Sequence, residues 1–429
     1  MPEAPQTSAS PSAVTTDKPQ QFLHTLANGL TLVAEYIPGV RSAAMTFLVP
    51  AGAANDPSDA SGAASILSDW LLRGAGNRDS RALSACLDSL GVQRGSNAEA
   101  IFSRFSASLL GKNLLEVLPI YADIVQRPML PDDGFGPAKD LALQQLDAIE
   151  DEPAHKLSIL IRQRHYDYPF GRPTTGDREQ IEALTAEKLR EDFRRRFTPR
   201  GAILSIAGAF EWKALRAAVE ASFGPWKAPA PVSASGNPAP RGTHHVTQAT
   251  NQVQIGLAYD CVPDAHPDSI LVHTASSVLS GGMGARLFSE VREKQGLCYS
   301  IHAGYHSFKE RAAIFGYAGT APERAQRTLD SFLIELRRMA KGITQEELNR
   351  SQIMMKSRVI MQGESSSARA GSIASDFYHR GRTRTLDELR ALIESITLDR
   401  VNNYLAANPI KNITLVTIGP SELTVARDP

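Results

Sequence analysis

Residues 228–242 read APAPVSASGNPAPRG: four prolines, two glycines and no apolar periodicity. Such a stretch resists both helix and sheet and stays semi-extended. It reads as a linker dividing the 429 residues into a first unit over 22–227 and a second over 243–429. Each unit is close to the size of one ordinary domain, roughly 100–200 residues.

Working outward, the two units repeat one another. In the first, Gly91 precedes a strand near Phe105, a helix over 114–125 and a helix start at Pro131-Asp132-Asp133. In the second, Gly296-Leu297 precedes a strand over 312–317, a helix over 323–339 and a helix start at Thr344-Gln345-Glu346-Glu347. The same order at a nearly constant offset predicts a duplicated α+β unit. Each copy should be a mostly antiparallel sheet covered by helices. The competing explanation is that any two α+β domains share such an order.

Local patterns fill in the first unit. Order is expected from Phe22, after a tail over 1–21 rich in Pro, Ser, Thr and Ala that reads as disordered. Residues 30–34 read as an edge strand after an Asn28-Gly29 turn, and Ser42–Val49 as a strand stopped by Pro50. A helix is expected over 60–73, closed by Gly74. Another is expected over 81–90, where Leu83, Cys86, Leu87 and Leu90 make an i, i+3, i+4, i+7 stripe. Residues 102–110 alternate like a strand without declaring which face is buried.

Composition narrows the function classes. The chain is 42% hydrophobic, so it can bury a core, and its 46 Lys+Arg balance 46 Asp+Glu. That balance argues against whole-protein attraction to nucleic acid or anionic lipid. No apolar run approaches the ~18 residues that span a membrane. The N-terminal stretch has no apolar h-region and no Arg, so the cytoplasm is the expected compartment, or the periplasm if a signal peptide has been removed. Cys86, Cys261 and Cys298 are too scattered for a disulfide framework.

Ten histidines include no H-E-x-x-H or H-x-x-E-H pair. His302 and His306 fall on a strand pattern over Ser300–Ser307, about 13 Å apart, too far to share one ion. His244-His245, at the linker exit, read as solvated. No P-loop and no G-x-S-x-G is present. Ser280-Gly281-Gly282-Met283-Gly284 reads either as an anion cradle at a helix start or as a plain interhelix loop.

Gly62–Gly74 (GAASILSDWLLRG) resembles the zinc-site helix of the pitrilysin, or insulinase-like, metallopeptidases, which include the mitochondrial processing peptidases. Those enzymes read G-x-x-H-F-L-E-H-M-L-F-K-G there. Tyr168-Pro169-Phe170-Gly171-Arg172-Pro173 with Gly176 and 181–184, and Phe197-Thr198-Pro199-Arg200 with Ile206-Ala207-Gly208, are similar to later segments of the family's first domain. Arg286-Leu287-Phe288, Arg292-Glu293-Lys294-Gln295-Gly296-Leu297-Cys298-Tyr299-Ser300 and Leu415-Val416-Thr417-Ile418-Gly419-Pro420 resemble its second domain. The resemblance covers roughly 22–420 and includes the duplication.

It also implies what has been lost. Ser65, Ser68 and Asp69 stand where active members have His, Glu and His. Helical spacing puts the three on one face about 100° wide, with Leu67, Trp70 and Leu71 elsewhere. Hydroxyls are poor zinc ligands and one carboxylate does not replace two imidazoles. Aligned to the family, Gln145 takes the place of the distal ligand Glu and Ala138 that of its companion Glu. No metal is therefore expected in this chain, and the family's zinc-activated water cannot be made here.

What the resemblance leaves is Arg292, on a helix expected over 285–294, and Tyr299, entering a strand. In active relatives such a pair reaches the substrate at the metal. An Arg can hold a peptide carbonyl and a phenol can donate to an oxyanion. Without the family, Arg292 would read as a solvated helix-end cation and Tyr299 as a half-buried strand aromatic.

The expected function is that of a degenerate subunit. It has no activity alone and binds no cofactor. It lends Arg292, Tyr299 and a substrate-binding loop of Gly281, Gly282 and Gly284 to a homologous partner that carries zinc and acts on peptide or unfolded polypeptide. The rival is an inactive scaffold subunit, like the core proteins of the respiratory cytochrome bc1 complex. A self-sufficient site at Ser65, Ser68 and Asp69 fails for want of a histidine.

Overall fold

The computed structural model describes residues 18–227 and 236–425. The expected tail lies outside these residues over 1–17, and the expected linker over 228–235.

The first unit contributes β1 (Gln20–Thr25), β2 (Thr31–Tyr36), β3 (Ser42–Val49), the short hairpin β4 (Gly74–Ala75) and β5 (Arg78–Asp79), then β6 (Gln93–Ala98), β7 (Ser103–Leu110) and β8 (Ile203–Gly208). The second contributes β9 (Thr243–Thr247), β10 (Val253–Cys261), β11 (Ser300–Ser307), β12 (Ala312–Thr320) and β13 (Thr414–Gly419). One sheet runs β1-β2-β8-β3-β7-β6 and the other β9-β13-β10-β12-β11. Only β2 with β8 and β9 with β13 pair in parallel; every other neighbour is antiparallel. Five strands of one sheet thus match five of the other in order and in sense. That is the duplication, with β1 added to the first copy.

Residues 30–34 do not form an edge. β2 lies between β1 and β8, and Thr31–Glu35 are buried. A continuous apolar run marks a strand covered on both faces; the edge is the more polar QQFLHT of β1, which begins two residues before Phe22. β7 buries Ser103, Phe105, Ala107 and Leu109. His245 is not simply solvated: its Nδ1 lies 2.8 Å from Thr417 Oγ1, and His244 Nε2 lies 2.6 Å from Pro240 O.

The helices of the first unit are α1 (Ala63–Trp70), α2 (Ser80–Ser89), α3 (Leu114–Gln126), α4 (Asp132–Glu150), α5 (Pro153–His165), α6 (Arg178–Ala183), α7 (Ala186–Arg196) and α8 (Trp212–Phe223). Those of the second are α9 (Ser269–Ser280), α10 (Ala325–Arg338), α11 (Gln345–Gly363), α12 (Ser366–Arg380), α13 (Leu386–Glu394) and α14 (Leu398–Ala407), with a π-helix over Leu287–Lys294 where an α-helix is expected. Each sheet packs one face against helices of its own unit, around Phe47, Trp70 and Phe105 in the first and Ile255, Leu329 and Phe332 in the second.

The opposite faces are covered by exchange. Helix α12, from the second unit, lies across β2, β3 and β8. There Ile373 and Ala374 pack on Val33, Leu48 and Ile203, and Ser205 donates to Ala370 O at 2.7 Å. The buried Arg369 pairs with the buried Glu35 of β2, Nε to Oε1 at 2.8 Å. Helix α5, from the first unit, lies across β10 and β13. Leu157 and Ile161 pack on Ala258, Val416 and Ile418, and His165 Nδ1 lies 2.9 Å from Thr414 Oγ1. No helix of the described residues is long and apolar enough to cross a membrane.

Candidate functional site

Helix α1 starts at Gly62, whose φ of 103° suits glycine. The chain of Gly176 comes so close that a Cβ there would lie 2.5 Å from Gly62 Cα. This contact docks the 168–176 segment against the helix start. The first N–H groups of α1 are satisfied from outside: Asp56 Oδ2 accepts from Gly62 N–H and Oδ1 from Ala64 N–H, both at 2.9 Å. Arg196 Nη1 holds the same carboxylate at 2.8 Å. Burial pushes the Asp56 carboxyl above its ordinary value, against the pull of Arg196. Nothing in the sequence pattern marked Asp56 or Arg196, because their partners are set by tertiary contact.

Ser65, Ser68 and Asp69 are the only residues of α1 that are not fully buried. Ile66, Leu67 and Trp70 face the core. Trp70 fixes α4 beside α1: its Nε1 donates to Pro131 O at 3.0 Å and its ring meets Phe135 at 5.2 Å. This brings Ala138 and Gln145 of α4 to the exposed face of α1. All five positions line one cavity of about 450 Å³, whose other walls include Arg94 and Asn97 of β6 and Thr174-Thr175. Thus the face read from helical spacing and the two positions aligned to the family converge.

The chemistry of this cavity does not suit zinc. Asp69 is already paired with Arg73 at 2.6 Å, and Ser68 Oγ donates to Ser65 O at 2.7 Å. The remaining groups are a hydroxyl, a carboxamide and a methyl. They offer no imidazole, no thiolate and no free carboxylate. Among the described residues no group of three or more His, Cys, Asp or Glu could hold a metal ion.

Arg292 and Tyr299 do not line this cavity. Arg292 sits on the π-helix with its guanidinium 4.8 Å from the Phe288 ring. Tyr299 is 67% exposed; its N–H donates to Gly319 O at 3.0 Å and its hydroxyl has no partner among the described residues. Gly281, Gly282 and Gly284 lie in the turn between α9 and the π-helix, with Met283 76% exposed. Arg286 anchors this region: it is buried, bonds Glu347 at 2.6 and 2.7 Å and donates to Gly342 O at 3.0 Å. So the second unit presents an arginine, a phenol and a glycine turn from a firmly held base. π-helical segments are rare and are enriched at functional positions.

Residues 31–178 match the family model "Insulinase (Peptidase family M16)", and 183–355 match "Peptidase M16 inactive domain". An uncharacterized zinc protease of Mycobacterium bovis is 26% identical over 387 residues, covering 88% of each chain. The crystal structure of a peptidase M16 inactive domain from Pseudomonas fluorescens superimposes with a TM-score of 0.85 at 20% identity, over 95% of this chain and 100% of that one. A chain of complex III2 from Candida albicans superimposes with a TM-score of 0.78 at 18% identity, over 93% and 96%. The two family models together match 31–178 and 183–355, reaching into both units, and the chain belongs to the M16, or insulinase, peptidase family.

Proposed function

We propose that the chain is the non-zinc-binding subunit of a heteromeric metallopeptidase. One observation carries this reading. The residues aligned to the family's metal positions meet in one cavity whose side chains do not suit zinc, while Arg292 and Tyr299 are exposed on the other unit. In the assembly a homologous partner supplies the zinc and the activated water. From this chain, Tyr299 donates a hydrogen bond to the oxyanion and Arg292 holds a substrate carbonyl. The turn at Gly281, Gly282 and Gly284 lets an extended polypeptide approach closely. The open edge of β6 offers backbone groups to which such a polypeptide can add as a strand. The cytoplasm is the proposed compartment.

The complex III2 likeness favours a second reading, a scaffold subunit without a catalytic role. Peptide hydrolysis by this chain, by the partner and by their mixture separates the two. The first reading expects activity only in the mixture, with Arg292→Ala raising KM more than it lowers kcat. A mixture that assembles yet is no more active than the partner alone supports the scaffold.

A further inference from the structure

A second cavity, of about 550 Å³, opens between the exchanged helices α5 and α12. Its wall is cationic. Arg104, Arg162 and Arg172 line it, and Glu99 is the single carboxylate doing so among the described residues. Glu99 is paired with Arg104 at 3.3 Å, and Arg172 donates to the carbonyls of Asp56 and Pro57. Arg162 differs. Its guanidinium makes no hydrogen bond or ion pair with any described residue and lies 5.1 Å from the Phe315 ring. Arg162 lines the cavity, and its guanidinium N–H donors are unclaimed by any described residue. An arginine side chain stays protonated at neutral pH. Ser375 of α12 lines the far side of the same space, while the Ser158 hydroxyl of α5 already donates to His155 O at 2.8 Å.

We propose that this cleft binds a small oxyanion of the phosphate class, with Arg162 as its principal donor. A planar guanidinium with a free edge matches the paired oxygens of such a group, and a concave, partly desolvated wall strengthens the attraction. The cleft shares Ala98 and Thr174 with the cavity beside α1 but none of the three arginines. The proposal therefore stands independently of the heteromeric-peptidase reading. Because α5 and α12 each cover the other unit's sheet, a ligand bridging them would brace the two units against each other.

Isothermal titration of the full chain with inorganic phosphate and with pyrophosphate, at ionic strength held constant with KCl, tests this. A citrate titration tests the carboxylate alternative. At least one phosphate probe should bind one per chain and raise Tm. Arg162→Gln should weaken that binding at least about tenfold, and Arg162→Lys should restore only part of it. The unliganded Tm of each variant shows that it is folded. No binding of either phosphate probe, equal binding to Arg162→Gln, or binding of citrate alone would overturn the assignment.

Discussion

Ser65, Ser68 and Asp69 share one face of α1 because a period of 3.6 fixes which residues lie on a side. Gln145 and Ala138 needed the family alignment, and the structure sets both opposite that face. We expect less than stoichiometric zinc by elemental analysis after dialysis. Ser65→His, Ser68→Glu and Asp69→His together should still bind zinc poorly, because a distal carboxylate is missing; adding Gln145→Glu should bring it toward one per chain. Tight zinc in the unmodified chain would refute this. The supports of the site were not legible: Asp56, Arg196 and the Trp70 indole act through partners distant in sequence. His306 illustrates the same point. Its Nδ1 bonds the Tyr166 hydroxyl at 2.9 Å, Arg162 and His379 add positive charge nearby, and burial pushes its imidazole down to about 4. The unfolded chain, with a value near 6.5, binds more protons in between, so stability is full above about pH 6.5 and is lost as pH falls toward 4. The loss from this group reaches about 3 kcal/mol. Urea unfolding at pH 7 and pH 4.5 should show His306→Gln to be less acid-sensitive than the parent. Residual sensitivity would come from His302 and His379, which burial also lowers, and from carboxylates held below their ordinary range, Asp264 and Glu347 among them.

At the scale of elements, Ser42–Val49, Ser300–Ser307 and the helices near 81–90 and 114–125 were readable because their apolar spacing declares their type. Placement was not. The 30–34 run looked peripheral because a polar strand outside it, β1, carries too weak an apolar pattern to be recognised alone. Nothing in α5 or α12 says that each will lie on the other unit's sheet, since an amphipathic face does not name its partner. Glu35 and Arg369 mark that exchange. Removing one partner of a buried pair leaves an uncompensated charge, so Arg369→Met should cost about 3–5 kcal/mol in urea unfolding. Glu35→Met with Arg369→Met should cost less than Arg369→Met alone. Equal stability of Arg369→Met and the parent would show that the pair does not hold α12 in place.

For the whole molecule, the duplication was visible as a repeated order of elements, and five strands of each sheet repeat it in order and in sense. The interlocking was not visible, and it alters what the two units can do. We take 228–242 as the linker, which a broad-specificity protease should cut first. The two fragments should then co-elute under native conditions and separate only in denaturant, because α5 and α12 cross between them. Free separation on cutting would contradict the exchange. The resulting frame holds the metal-position residues on one unit and an exposed Arg292 and Tyr299 on the other, an arrangement that fits the proposed pairing with a zinc-bearing chain. The decisive measurement is peptide hydrolysis by that mixture, with this chain as the parent or as Tyr299→Phe. The account predicts no hydrolysis by this chain alone, activity in the mixture, and a fall of about 10²–10³ in kcat with Tyr299→Phe while assembly is intact. Hydrolysis by this chain alone, or full activity with Tyr299→Phe, would contradict it.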